Sequence, residues 1–206
     1  TSSTVYPDTI WVCEAKINYR ITILDEIGCN SVSNMLRGNY FNSKDPDQPY
    51  VDSISVLPNG NTVLAWQVPI DKDIDQYQIQ YRTTADKNDS IDTVYGRNIT
   101  SYTYSTTTAN SNTVGIYVKA VDSCGRTSTV FYEISTMFLR TSYDQCSFQT
   151  SLNWNAYRWS KIKGKAIEST LEYRIYYSVD GSTFTQIDVT KDSFYVHKNV
   201  PPGKNV

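Results

Sequence analysis

The sequence predicts an all-β chain of tandem antiparallel β-sandwiches, and three observations carry that expectation. Several short runs alternate with period two. Thr62, Leu64 and Trp66 alternate with Val63, Ala65 and Gln67, and Tyr77, Ile79 and Tyr81 with Gln78, Gln80 and Arg82. Val114, Ile116, Val118 and Ala120 form a third such run. Alternation of this kind marks a strand with one face on a core. No stretch carries an apolar 3.6-residue stripe with caps, so no helix is expected. The pattern also repeats within the chain, which points to an array of similar units.

Residues 51–139 read as one complete unit. Asn59-Gly60 supplies a tight turn into the Trp66 strand, because Gly and Asn accept the positive φ that hairpins need. Pro69 ends that strand, since proline cannot donate to a sheet ladder. Ile91 to Tyr95 and Tyr102 to Ser105 are shorter strand candidates, and Val130 to Ile134 is the last. About seven short strands in roughly 90 residues predict a sandwich. Its expected core includes Trp66, Tyr77, Ile79, Val118 and Ala120.

The flanks look like parts of two more units. Residues 1–38 read as the end of a first sandwich, because INYRITILDEIGC resembles VGIYVKAVDSCG of the central unit. Residues 39–50, rich in Asn, Asp and Pro, read as a stiff linker that sets neighbours end to end. Residues 140–206 read as the start of a third sandwich. Leu152 and Trp154 repeat Leu64 and Trp66, and Tyr173, Ile175 and Tyr177 repeat Tyr77, Ile79 and Tyr81. Asp180-Gly181 is a hairpin turn into Phe184 to Val189. The partial ends are expected to be completed by further chain, or by a neighbouring molecule arranged head to tail.

Composition narrows the function. The 206 residues include 17 tyrosines, which suit half-buried pleated faces. A net charge of -2 argues against nucleic acid, whose binders carry a basic stripe. No apolar run is long enough for a transmembrane helix. No motif calls for a cofactor.

The early Trp66, the Tyr77-x-Ile79-x-Tyr81 strand and the late I-Y-V-K-A-V-D strand resemble a fibronectin type III domain, an immunoglobulin-like sandwich. That family often places a corner tyrosine where Val114 stands, so the corner hydroxyl must be missing or supplied elsewhere. The chain as a whole resembles a narrower group. INYRITILDEIGCNSVSN, a Pro-containing linker, VDSISV, VDSCGRTS and C-x7-W-N-A-Y-R-W are similar to repeats of Bacteroidetes gliding-motility-associated surface proteins. The resemblance implies a secreted, adhesin-like, non-enzymatic cell-surface segment. It implies export by the type IX secretion system under a type B sorting domain. The implied partners are that machinery and other surface proteins or glycans. The alternative is a spacer module of a secreted enzyme whose catalytic domain lies elsewhere.

Four cysteines, Cys13, Cys29, Cys124 and Cys146, allow three pairings, and spacing does not choose among them. Without C-x-x-C and with one histidine, disulfides are expected rather than a metal site. The resemblance implies Cys13–Cys29. Cys124–Cys146 is then the expected staple between the central unit and the third.

No catalytic constellation is expected. His197 has no elbow motif or oriented partner and is expected at an exposed strand end. Asp71, Asp73 and Asp75 alternate as calcium ligands would, but the loop lacks the Gly and late Glu of a calcium loop and reads as solvated. Arg158 and Trp159, near Lys161, Lys163 and Lys165, offer a surface for a sugar ring or a peptide, or a cover for the joint.

Overall fold

The computed structural model describes residues 5–10, 12–84, 87–105, 108–129, 134–157 and 172–198. Its first elements are β1 (Glu14–Tyr19), β2 (Thr22–Leu24), β3 (Asn30–Val32) and β4 (Leu36–Phe41). They form one long hairpin. β1 pairs with β4 from Glu14↔Phe41 to Tyr19↔Leu36, and β2 pairs with β3 beyond a break at Arg20 and Ile21. At the break, Ser33 accepts the Ile21 N–H at 2.8 Å through its hydroxyl and donates its own N–H to the Ile21 carbonyl at 2.8 Å. Gly38 sits opposite Ile17 inside β4, so the strand runs three residues into the segment expected as linker.

The central unit contains β5 (Tyr50–Val56), β6 (Thr62–Gln67), β7 (Ile74–Thr84), β8 (Lys87–Tyr95) and β9 (Ser101–Tyr104). A single 3-10 turn at Thr108–Asn110 leads to β10 (Gly115–Asp122) and β11 (Ile134–Ser135). Residues 130–133 of the last expected strand lie outside the described residues. Two antiparallel sheets result, β5-β6-β9 and β11-β10-β7-β8. This three-plus-four arrangement is the sandwich that the alternation predicts. Gly60, at φ 85°, makes the β5–β6 turn as expected, donating to the Leu57 carbonyl at 2.8 Å.

Period two decides the core. Leu64 and Trp66 from one sheet meet Tyr77, Ile79, Ile116, Val118 and Ala120 from the other, all at most 1% exposed. Trp66 alone hides an indole whose loss costs about 3–5 kcal/mol in a packed interior. Tyr77 fits because its ring is buried while its hydroxyl donates to the Arg97 carbonyl at 2.7 Å. Val114 is held by the residue just after β11. Thr136, fully buried, accepts the Val114 N–H with its hydroxyl at 2.9 Å and donates its own N–H to the Val114 carbonyl at 2.9 Å.

The third unit supplies β12 (Leu139–Asp144), β13 (Gln149–Trp154), β14 (Tyr173–Tyr177), β15 (Thr185–Thr190) and β16 (Phe194–Lys198). The sheets β12-β13-β16 and β14-β15 repeat the pairing of β5-β6-β9 and β7-β8. Trp154 meets Tyr173 across the sheets at 5.2 Å, as Trp66 meets Tyr77 at 5.2 Å. His197 lies at a strand end, one residue short of the end of β16, but it is not exposed. It is half-buried on β16, with its ring 4.9 Å from Tyr177 of the facing sheet. An imidazole carries enough apolar surface to serve as interior packing there. Asp180 closes the β14–β15 turn, its carboxylate accepting from the N–H groups of Ser182 and Thr183 at 2.9 and 2.8 Å. Those bonds hold its carboxyl well below the usual carboxylate range.

Candidate functional site

The chemistry-bearing side chains gather at the two joints between units. The first joint is covalent. Cys13, just before β1, is bonded to Cys124 in the β10–β11 turn, with 4.9 Å between their Cα atoms. Cys29 and Cys146 are free and exposed. The expected pairs Cys13–Cys29 and Cys124–Cys146 are therefore corrected, and strand geometry gives the reason. Cys13 lies at the open end of the first hairpin, where its carbonyl accepts the Asn42 N–H, and Cys29 lies at the tip. The strand between them covers about 35 Å at ~3.3 Å per residue. Cys124 lies at the first-joint end of β10, whereas Cys146 lies in the turn beyond β12, past the second joint.

Each hairpin tip is built around one aspartate. The Asp122 carboxylate accepts from the N–H groups of Cys124 and Arg126 at 2.9 and 2.8 Å, with Gly125 at φ 77°. The Asp25 carboxylate accepts from Ile27 and Cys29 at 3.1 and 2.7 Å, with Gly28 at φ 86°. Asp25 thus corresponds to Asp122 and Gly28 to Gly125. Cys29 then occupies the position of Arg126, and Cys124 that of Ile27. The two cysteines are offset by two residues on otherwise equal turns.

The linker is tied down beside the bridge. Asn42 donates to the Asp73 carboxylate at 2.7 Å, and Arg126 donates to Asp45 at 3.1 Å. Asp71, 2% exposed, accepts from the Lys44 ammonium at 2.7 Å and from the Asp47 N–H at 2.6 Å. The expectation of a solvated loop fails at Asp71. Burial pushes its carboxyl up, but the Asp47 N–H and the Lys44 ammonium outweigh burial and hold it below its ordinary value. Arg97 completes the loop by donating to the carbonyls of Asp71 and Pro69, each at 3.0 Å.

Asp73, Asp122 and Cys124 bring one ligand-type atom each within 4.8 Å of one another. The Cys124 sulfur is committed to the disulfide and is not a thiolate ligand. Two carboxylates remain, short of the six to eight oxygens that calcium takes. Asp71, Asp73 and Asp75 do not converge as a set, since Asp71 is spent on the linker.

The second joint turns on Asn155. Its amide oxygen accepts the Phe138 N–H at 2.7 Å and faces the Thr113 hydroxyl at 3.3 Å. Its amide nitrogen donates to the Thr136 carbonyl at 3.0 Å. Tyr157, from the same loop, packs against the core cluster of the central unit, and its N–H donates to the Tyr173 hydroxyl at 3.0 Å, linking core to core. A cavity of about 140 Å³ opens beside Asn155, lined by Thr113, Phe138, Arg140, Asn153, Trp154 and Asn155. Arg158 and Trp159, the expected recognition pair, lie outside the described residues. Sequence reasoning missed Lys44 and Asn155, and read Asp71 as solvated when it is buried. The polar run in the linker and the N-A-Y sequence after Trp154 were the available signals.

No helix among the described residues is long and apolar enough to cross a membrane. No family model matches the sequence, and no curated protein matches it. Among solved structures, the crystal structure of chicken CNTN1 FN1-FN3 domains aligns with 90% of this chain and 66% of that one, at 14% identity and a TM-score of 0.40. The all-β class and the seven-strand unit stand on the strand pairing described above.

Proposed function

We propose that this chain is a non-enzymatic stretch of an extracellular repeat array, in which consecutive sandwiches are locked end to end. The observation that carries the proposal is the Cys13–Cys124 bridge, which ties the first hairpin to a turn of the next unit. Disulfides of this kind persist in oxidising compartments and are rare in the cytosol. The buried Asp71 network beside the bridge supports the same reading, because a linker held at three side chains does not swing freely.

The sequence resemblance extends the proposal to an adhesin-like surface protein of the Bacteroidetes gliding-motility-associated type. Its route outward is then the type IX secretion system. Proteolytic shaving of intact source cells tests this directly. Peptides of this chain are expected in the released fraction, and are expected to be lost from the surface when the secretion machinery is disabled. Recovery only from the soluble cell interior overturns the proposal.

A further inference from the structure

We infer that the first joint binds a small divalent cation of the magnesium type between the carboxylates of Asp73 and Asp122. The backbone forces these two residues together. Asp122 ends β10 opposite Ile74, just past a bulge after Val121, and Asp73 directly precedes Ile74. The Ser123 N–H donates to the Asp73 carbonyl at 2.8 Å, which fastens the turn after β10 to the loop before β7. An oxygen of each carboxylate then lies within 4.8 Å of the other.

Asp122 is where a charge goes unanswered. The residue is 2% exposed. Its Oδ1 accepts the Cys124 and Arg126 N–H groups, while its Oδ2 is buried and accepts nothing from the described residues. The turn itself does not demand this, because Asp25 caps the equal turn through one oxygen while standing exposed. The nearby cations are engaged elsewhere, Lys44 with Asp71 and Asp47, and Arg126 with Asp45. Asp73 takes only a neutral donor, the Asn42 amide. Among the described residues no cation meets either carboxylate. A buried carboxylate beside a second carboxylate needs a positive charge.

The number of donors selects the ion. With the Cys124 sulfur in the disulfide, two carboxylates remain, too few for calcium. Magnesium is held by one or two carboxylates and keeps several of its waters. Oxygens on opposite sides of a magnesium stand about 4.2 Å apart at ~2.1 Å per bond, a span that fits within the 4.8 Å limit. Asp73 is only half-buried, which leaves a side open for the retained waters. The ion joins the loop before β7 to the turn that carries Cys124, beside the bridge. The inference goes beyond the array proposal and does not depend on it.

The test uses the whole chain with its bridge intact, first stripped with a chelator and then titrated with magnesium chloride at constant ionic strength. Thermal melts are expected to rise and saturate, with half-saturation roughly near 1 mM, as few charged ligands give. At about ten times that concentration the folded-to-unfolded ratio is expected to gain roughly elevenfold by mass action. Manganese at substoichiometric amounts serves as a paramagnetic probe. It is expected to broaden the amide resonances of Asp73, Ser123 and Cys124 first and to leave Ile175 sharp. Asp122→Asn keeps an acceptor for the two N–H groups of the turn and removes one of the facing charges. It is expected to lose the magnesium response and the broadening, and to melt no lower than the parent in chelator. Asp73→Asn is expected to lose the response as well. A parent melt that does not change with magnesium overturns the site. So does an equal response in Asp122→Asn, or broadening that begins at exposed acids such as Glu14 and Asp25. A larger saturable rise with calcium than with magnesium overturns the choice of ion. If Asp122→Asn melts lower than the parent by the same amount with and without magnesium, Asp122 serves the turn alone and the proposal fails.

Discussion

The Tyr77 ring lies 5.2 Å from the Trp66 indole, tilted by 59°, and bridges the two sheets of the central unit. Truncating Trp66→Ala removes one side of that contact and leaves a cavity in a site 1% exposed. A loss of about 3–5 kcal/mol is expected in denaturant melts. Tyr77→Phe keeps the ring and removes only the hydroxyl bond to Arg97, so about 1 kcal/mol is expected. A Trp66→Ala loss no larger than that of Tyr77→Phe shows that the contact is not the centre of the core.

The bridge makes a second prediction. Cys13 and Cys124 are 111 residues apart, and closing a loop of that length restricts the unfolded chain by about 4–5 kcal/mol in the chain-entropy account. A non-reduced digest is expected to contain one peptide joining Cys13 to Cys124, with Cys29 and Cys146 open to alkylation. A Cys13–Cys29 or Cys124–Cys146 peptide overturns this. Cys13→Ser with Cys124→Ser is expected to broaden the distribution of shapes in small-angle scattering. An unchanged profile means the linker bonds alone hold the joint.

Asp71 should make the first joint sensitive to acid. Its carboxyl is held below its ordinary value in the folded chain, so its contribution is complete above the unfolded value near ~4. That contribution is lost as pH falls through the folded value. Asp71→Asn is expected to cost about 1–3 kcal/mol at neutral pH, because Lys44 and the Asp47 N–H lose a charged acceptor. The gap between variant and parent is expected to narrow in melts below about pH 4. A gap independent of pH means that shape, not charge, accounts for the loss.

What could be read from the sequence follows the range of the physics. Trp66, Tyr77, Ile79, Val118 and Ala120 were legible because alternation is local and a large apolar side chain has one comfortable place in a sandwich. The second Trp–Tyr pair, Trp154 and Tyr173, was legible as a repeat of the first. The cysteine pairing was not. Cys29 and Cys124 sit on matching turns, and only the two-residue offset, fixed by where Asp25 and Asp122 cap their tips, shows that they are not equivalent. Asp71 looked solvated because its partner Lys44 is 27 residues away in the chain and the burial comes from the linker folding over it. His197 misled for a similar reason, since its contact with Tyr177 belongs to the facing sheet.

Asn155 carries the last prediction, because the second joint has no covalent bridge among the described residues. Three bonds converge on one side chain there: from the Phe138 N–H, from the Thr113 hydroxyl and to the Thr136 carbonyl. Phe138 and Thr136 belong to the short crossing between β11 and β12, so Asn155 fixes the path of the chain between units. Asn155→Ala removes all three at once and leaves the Phe138 N–H without its acceptor in a half-buried place. A cost of about 1–3 kcal/mol is expected. Asn155→Asp separates the roles. A carboxylate still accepts from Phe138 and Thr113, but it cannot donate to the Thr136 carbonyl and instead faces it. Amide hydrogen exchange is the measurement, because it reads the joint apart from the cores. Faster exchange is expected at Phe138 in Asn155→Ala and retained protection there in Asn155→Asp, with Trp66 protected in both. If Phe138 stays protected in Asn155→Ala, Tyr157 docked on the central core holds the crossing by itself, and the joint is a hydrophobic contact rather than a hydrogen-bonded one.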